Sequence, residues 1–74
     1  MNVRVRLIGR FIPCVGFDEK DLQLPVGCTA AELTARLKIE EQDKIITRNG
    51  LPLQSPDQLV DGDRVVIAPI FSGG

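Results

Sequence analysis

Histidine, tryptophan and tyrosine are missing from this sequence of 74 residues, and methionine occurs once, at position 1. Without histidine no imidazole can activate Cys14, the thiol that most resembles a reactive one, so nucleophilic catalysis is not expected. Cysteine is scarce too: Cys14 and Cys28 are the full complement. Two thiols with scattered carboxylates make too few ligands for a metal centre, so no metal is expected. They could form one disulfide, but without a secretion signal two reduced thiols are the expectation. No apolar run approaches the roughly 20 residues needed to span a bilayer. The opening MNVRVRLIGR alternates arginine with apolar residues and lacks the continuous hydrophobic segment of a signal peptide. The expectation is a cytoplasmic protein with no membrane association. Nine Lys and Arg against ten Asp and Glu leave a net charge of -1. A basic footprint is therefore missing, and nucleic acid is not an expected partner.

What is present is ordinary for a globular protein: 43% hydrophobic and 26% charged residues. The length fits one domain, which buries only about 60% of the surface of its unfolded chain and so has a small core.

Residues 3–8, VRVRLI, alternate with period two, Val3, Val5 and Leu7 against Arg4, Arg6 and Ile8, the pattern of a half-buried strand. The following GRFIPCVGFDEK reads as an irregular connection with four apolar anchors, Phe11, Ile12, Val15 and Phe17. A second strand in DLQLPV groups Leu22, Leu24 and Val26, and Pro25 assigns it to an edge. In CTAAEL, Thr29 is an N-cap with Glu32 three residues on, a capping box, and Cys28 and Leu33 form a hydrophobic staple across it. Ala30, Leu33 and Leu37 then make the inward stripe of a helix of about three turns. IITRNGLPL predicts a hairpin around Asn49-Gly50, with Pro52 putting the return strand at an edge. QSPDQLVDGDR reads as a loop with one helical turn, and Asp61 and Asp63 as members of an Asx-type turn, not an acid/base pair.

The final strand, RVVIAPIF, is apolar on both faces: Val65 and Ile67 on one, Val66, Ala68 and Ile70 on the other. A single helix cannot cover both sides of such a sheet, so the architecture is α+β: a mixed sheet of four to five strands, one main helix on one face, the other face open. The second apolar row then needs a partner, and Val66, Ala68 and Ile70 are candidates for docking it. If the first and last strands are neighbours, Arg4, Arg6 and Arg64 fall on that open face as a basic rim that would steer an acidic partner.

The sequence closes on SGG. At average glycine usage such a pair falls at a given position about once in 200 chains. Glycine lacks Cβ, so two in succession thread a narrow channel and adopt backbone angles closed to other residues. From Phe71 to Gly74 the chain spans roughly 13 Å when extended, enough to enter another protein's site.

The NG hairpin, the DGDRVVIAP entry to the last strand and the terminal SGG resemble the MoaD/ThiS family of sulfur carriers, which have the ubiquitin-like β-grasp fold. The resemblance runs over nearly the whole chain and is most specific in DGDRVVIAPIFSGG. It implies central, parallel first and last strands, a single β-grasp domain over residues 1–70, and a flexible tail over 71–74. It also implies a non-enzymatic carrier that is monomeric when free and binds no cofactor. A ubiquitin-activating-type adenylyltransferase would use ATP to adenylate the Gly74 carboxylate, with Gly73 as penultimate glycine. A sulfur donor would then convert it to a thiocarboxylate for a biosynthetic synthase. Ser72 and Phe71 would enter the partner with the tail, beside Ile70, Ala68 and Val66. The long connection after the first strand and the VRVRLIGRF and IAPIFSGG segments look closer to the molybdopterin synthase small subunit than to the thiamine-thiazole carriers. The accepting partner would accordingly be the molybdopterin synthase large subunit, with thiazole synthase next. That branch usually carries a Leu-Arg-Glu helical run where Ile12-Pro13-Cys14 stands here. Two alternatives remain: a ubiquitin-like modifier conjugated through Gly74, and a β-grasp interaction module.

Overall fold

The structure, a computed structural model, describes residues 1–70. The expected tail, Phe71, Ser72, Gly73 and Gly74, lies outside the described residues. Seven elements follow in the order β1 (Asn2–Leu7), α1 (Phe11–Val15), β2 (Glu19–Gln23), α2 (Ala30–Arg36), β3 (Lys44–Arg48), β4 (Leu51–Pro52) and β5 (Arg64–Pro69). The five strands form one sheet, ordered β2-β1-β5-β3-β4.

Alternation makes β1 two-faced: Val3, Val5 and Leu7 are buried while Arg4 and Arg6 are exposed. β5 pairs with it in parallel, Val5 opposite Val65 and Leu7 opposite Ile67. On its other side β5 pairs antiparallel with β3, Ile67 opposite Ile46. These inward residues form one cluster with Phe11, Ala30, Leu33 and Ile39, so α2 and the first turn of α1 close a single face of the sheet. This is the ubiquitin-like β-grasp, with the expected parallel pair at its centre.

Five details differ from the sequence reading. The connection after β1 contains a regular element, α1. Pro13 is tolerated because it falls in the first turn, where an N–H has no helical partner. Gly16, at φ 107°, closes the helix by donating its N–H to the Ile12 carbonyl at 2.8 Å. Of the four anchors Phe11 is fully buried, Val15 and Phe17 pack partly on the core, and Ile12 is exposed.

β2 starts earlier than expected and ends at Gln23. It is an edge strand as predicted, but Pro25 lies beyond it. The Cys28 amide donates to the Pro25 carbonyl at 3.1 Å, and Gly27, at φ 87°, completes that turn. Val26 thus stands at a turn tip, 90% exposed, away from buried Leu24.

α2 has two turns instead of three. Thr29 caps it, its Oγ1 accepting the Glu32 amide at 3.2 Å. The Lys38 N–H donates to Ala35 O, and the Ile39 N–H reaches back to Thr34 O at 3.0 Å. Lys38 takes the left-handed φ of 62°. This is a Schellman ending with lysine where glycine is usual, and it turns Ile39 into the core.

Asn49 (φ 51°) and Gly50 (φ 84°) form the predicted hairpin turn between β3 and the edge strand β4. The loop after β4 makes turns but no helical turn. Its Asp57 and Ser55 carbonyls instead accept the first two amides of α2, from Ala30 and Ala31, both at 3.0 Å.

Asp61 and Asp63 are not a local Asx pair. The Asp61 carboxylate accepts the Asn2 amide at 2.6 Å. Asp63 is buried, accepts the Val60 amide at 2.8 Å and faces Arg48 at 3.5 Å. The Asp61 carboxylate thus ties the turn before β5 to the start of β1, and the Asp63 carboxylate ties the same turn to the end of β3.

Candidate functional site

Where β5 leaves the sheet, its two faces separate. Val65 and Ile67 are in the core, while Val66 and Ala68 are half-buried on the opposite face and Ile70 is exposed. The predicted row therefore exists as a geometric feature. Register extends it in a way the β5 sequence does not reveal. Ile45 of β3 lies opposite Ala68 and is 53% exposed. Ile8 continues the outward series of β1, its amide donating to the Ile67 carbonyl at 3.0 Å, and is also exposed. Alternation in β1 and β3 marks Ile8 and Ile45 as outward; only strand order brings them beside Ala68.

The three arginines are brought together as well. Arg4 is opposite Arg64 and Arg6 opposite Val66 across the parallel ladder. With Glu19 they border a shallow depression of about 190 Å³ over Val66. They are not equivalent. Arg4 pairs with Glu19 at 2.6 Å and Asp21 at 3.1 Å. The hydrogen bond to Glu19, with attraction from both carboxylates, raises its pKa. Among the described residues neither Arg6 nor Arg64 forms an ion pair.

The two cysteines diverge. Cys14 is exposed on α1, where its Sγ accepts Gln42 Nε2 at 3.9 Å. Cys28 is buried under α2, and desolvation, followed by the charge of Glu32, raises its thiol pKa. Both are free. No buried side-chain nitrogen or oxygen among the described residues lacks a hydrogen-bond partner. The described part thus offers a surface and a strand exit, with its buried polar groups committed to structure. No helix among the described residues is long and apolar enough to cross a membrane.

Comparison with solved structures places similar folds beside this one. A protein assigned as molybdopterin converting factor subunit 1 of Pyrococcus furiosus superposes with a TM-score of 0.82 at 27% identity, over 93% of this chain and 97% of that one. SAMP1 of Haloferax volcanii gives 0.79 at 16% identity, over the full length of both. Subunit 1 in the complex of subunits 1 and 2 of molybdopterin-converting factor from Helicobacter pylori gives 0.67 at 23% identity, over the full length of both. The last two likenesses are of fold alone. No curated protein matches the sequence. The ThiS family model matches residues 5–74, and on that match the chain belongs to the ThiS family, within the MoaD/ThiS group of ubiquitin-like proteins.

Proposed function

We propose that this protein is a cytoplasmic sulfur carrier that acts through the carboxylate of Gly74, with residues 1–70 as the carrier body and 71–74 as its tail. The observation that carries the reading is the extent of the family match, which runs through Gly73 and Gly74 to residue 74. In this reading the Gly74 carboxylate attacks the α-phosphorus of ATP in the site of a ubiquitin-activating-type adenylyltransferase. Pyrophosphate leaves and an acyl adenylate forms. A sulfide nucleophile then forms the carbon–sulfur bond as the bond to AMP breaks, leaving a thiocarboxylate. The chain supplies no catalytic group; ATP and the sulfur donor belong to its partners. A carboxylate must be activated in this way because it is a poor electrophile, and glycine lets it approach the phosphate closely.

The Pyrococcus and Helicobacter likenesses favour a molybdopterin synthase large subunit as the acceptor, ahead of thiazole synthase. The Haloferax likeness, to a protein whose name is small archaeal modifier protein 1, supports a second reading, a modifier joined through Gly74 to lysines. Incubation with ATP, an activating enzyme and sulfide, followed by intact-mass measurement, separates them. Replacement of one oxygen by sulfur supports the carrier and conjugates support the modifier. An unchanged mass overturns both. Removing Gly74 should abolish the reaction while the folded spectrum of the domain persists.

A further inference from the structure

The course of the chain out of β5 is set by residues distant from it in sequence. The β3–β5 pairing runs to Lys44 opposite Pro69. By the alternation of an antiparallel ladder the next bonded pair is Asp43 with Ile70, and the Ile70 amide reaches the Asp43 carbonyl at 3.4 Å. Pro69 is buried and its ring lies over Gly9, where a Cβ would sit 3.6 Å from the proline Cγ.

Asp43 in turn closes a connection fastened at three points. Ile39 is buried in the core. The Gln42 amide donates to the Ile39 carbonyl at 3.1 Å, closing a turn. Lys44 folds its Nζ back onto that turn, donating to the Glu40 carbonyl at 3.1 Å and the Gln42 carbonyl at 3.0 Å. Bonds from an ammonium are stronger than neutral ones, and two on one turn restrict it from both ends.

We infer that Lys44 is a positioning residue for the reactive tail: it holds the turn that presents the Asp43 carbonyl to Ile70, and so fixes the direction in which the chain leaves β5. The inference rests on the carrier reading, which puts the reacting carboxylate four residues beyond Ile70. A chain held at Ile70 loses less freedom when it enters an enzyme's channel. The benefit is to docking, not to the chemical step, so it falls on KM for the carrier and leaves kcat unchanged.

The test uses the full chain with Lys44→Met, which keeps the aliphatic stem, and Lys44→Arg, which keeps two donors. Hydrogen exchange at the Ile70 amide reports on the hold itself, and ATP–pyrophosphate exchange by an activating enzyme reports on docking. Lys44→Met should speed Ile70 exchange severalfold and raise KM for the carrier about three- to tenfold at constant kcat. Lys44→Arg should restore both. Native exchange at Ile70 in Lys44→Met overturns the inference, as does faster exchange with an unchanged KM, or a fall in kcat that arginine does not rescue. If the unsubstituted chain is not adenylated, the carrier reading fails first and the tail-positioning role falls with it. The Ile70 exchange arm then still shows whether Lys44 holds the turn.

Discussion

Asn49 and Arg64 exchange two hydrogen bonds, the Asn49 amide to the Arg64 carbonyl at 2.8 Å and the Arg64 amide to Asn49 Oδ1 at 3.0 Å. The turn residue of one hairpin thereby sets where the central strand begins. Asn49 also holds φ at 51°, a region costly for most side chains. Asn49→Ala should lose about 2 kcal/mol, from the lost bond and the strained angle together. Asn49→Gly relieves the angle and should lose about 1 kcal/mol. Urea denaturation of both variants checks this; equal losses would show that the strained angle contributes nothing, and no loss in Asn49→Gly that the side-chain bond contributes nothing.

Phe11 is fully buried by a helix of five residues. A domain of this length has a total stability of roughly 4–11 kcal/mol. Phe11→Ala should remove about 3–5 kcal/mol of it by leaving a cavity. A melting curve should show a population already unfolded at room temperature or a large drop in midpoint. A loss under 1 kcal/mol would mean that α1 is dispensable.

The buried Cys28 thiol predicts an alkaline limb in the stability curve. Its pKa is raised on folding, so folding favours the protonated form. That contribution is complete below the unfolded thiol pKa of about 8.5 and is lost as pH rises through the higher folded value. Cys28→Ala should flatten the decline above that pH. In the native protein an alkylating reagent should modify Cys14 rapidly and Cys28 only on unfolding; equal rates would contradict the burial.

Arg6 and Arg64, which form no ion pair among the described residues, test whether the positive charge of the open face steers a partner. Arg6→Glu or Arg64→Glu should slow association with an activating enzyme by roughly three- to tenfold at low ionic strength. The difference should shrink in 0.5 M salt, where charges are screened within a few ångströms. Arg4 is a poorer probe, because its removal also uncovers Glu19 and Asp21. Stopped-flow rates that are equal at low salt would remove the steering role.

Much of this fold was legible because local and global signals agreed. Val3, Val5 and Leu7 alternate with Arg4 and Arg6, Thr29 stands three residues before Glu32, and Asn49-Gly50 admits few conformations besides a tight hairpin. What escaped was written in short or non-local signals. α1 is too brief for a helical period to show, and its Pro13 fits only because it stands in the first turn. Lys38 occupies a left-handed position that glycine would have announced. Val26 follows the apolar pattern of Leu22 and Leu24, yet a turn takes it away from them. The strand row Val66, Ala68 and Ile70 could be read from β5 alone, whereas the addition of Ile8 and Ile45 needed the sheet order. Gly73 and Gly74, on which the chemical reading depends, lie outside the described residues and rest on the family pattern.

The central position of β5 also governs when the protein can exist. β1 with β2 and β3 with β4 are two separate ribbons, joined only through β5. Isolated two-stranded ribbons are marginal in water, and distant parallel pairing forms slowly. Without residues 64–69 the two ribbons share no strand that joins them into one sheet. A nascent chain stopped before Arg64 leaves Val5, Leu7 and Ile46 without their shared neighbour, exposed to proteases and to aggregation. The strand that leads to the proposed reactive end is thus also the one that completes the fold.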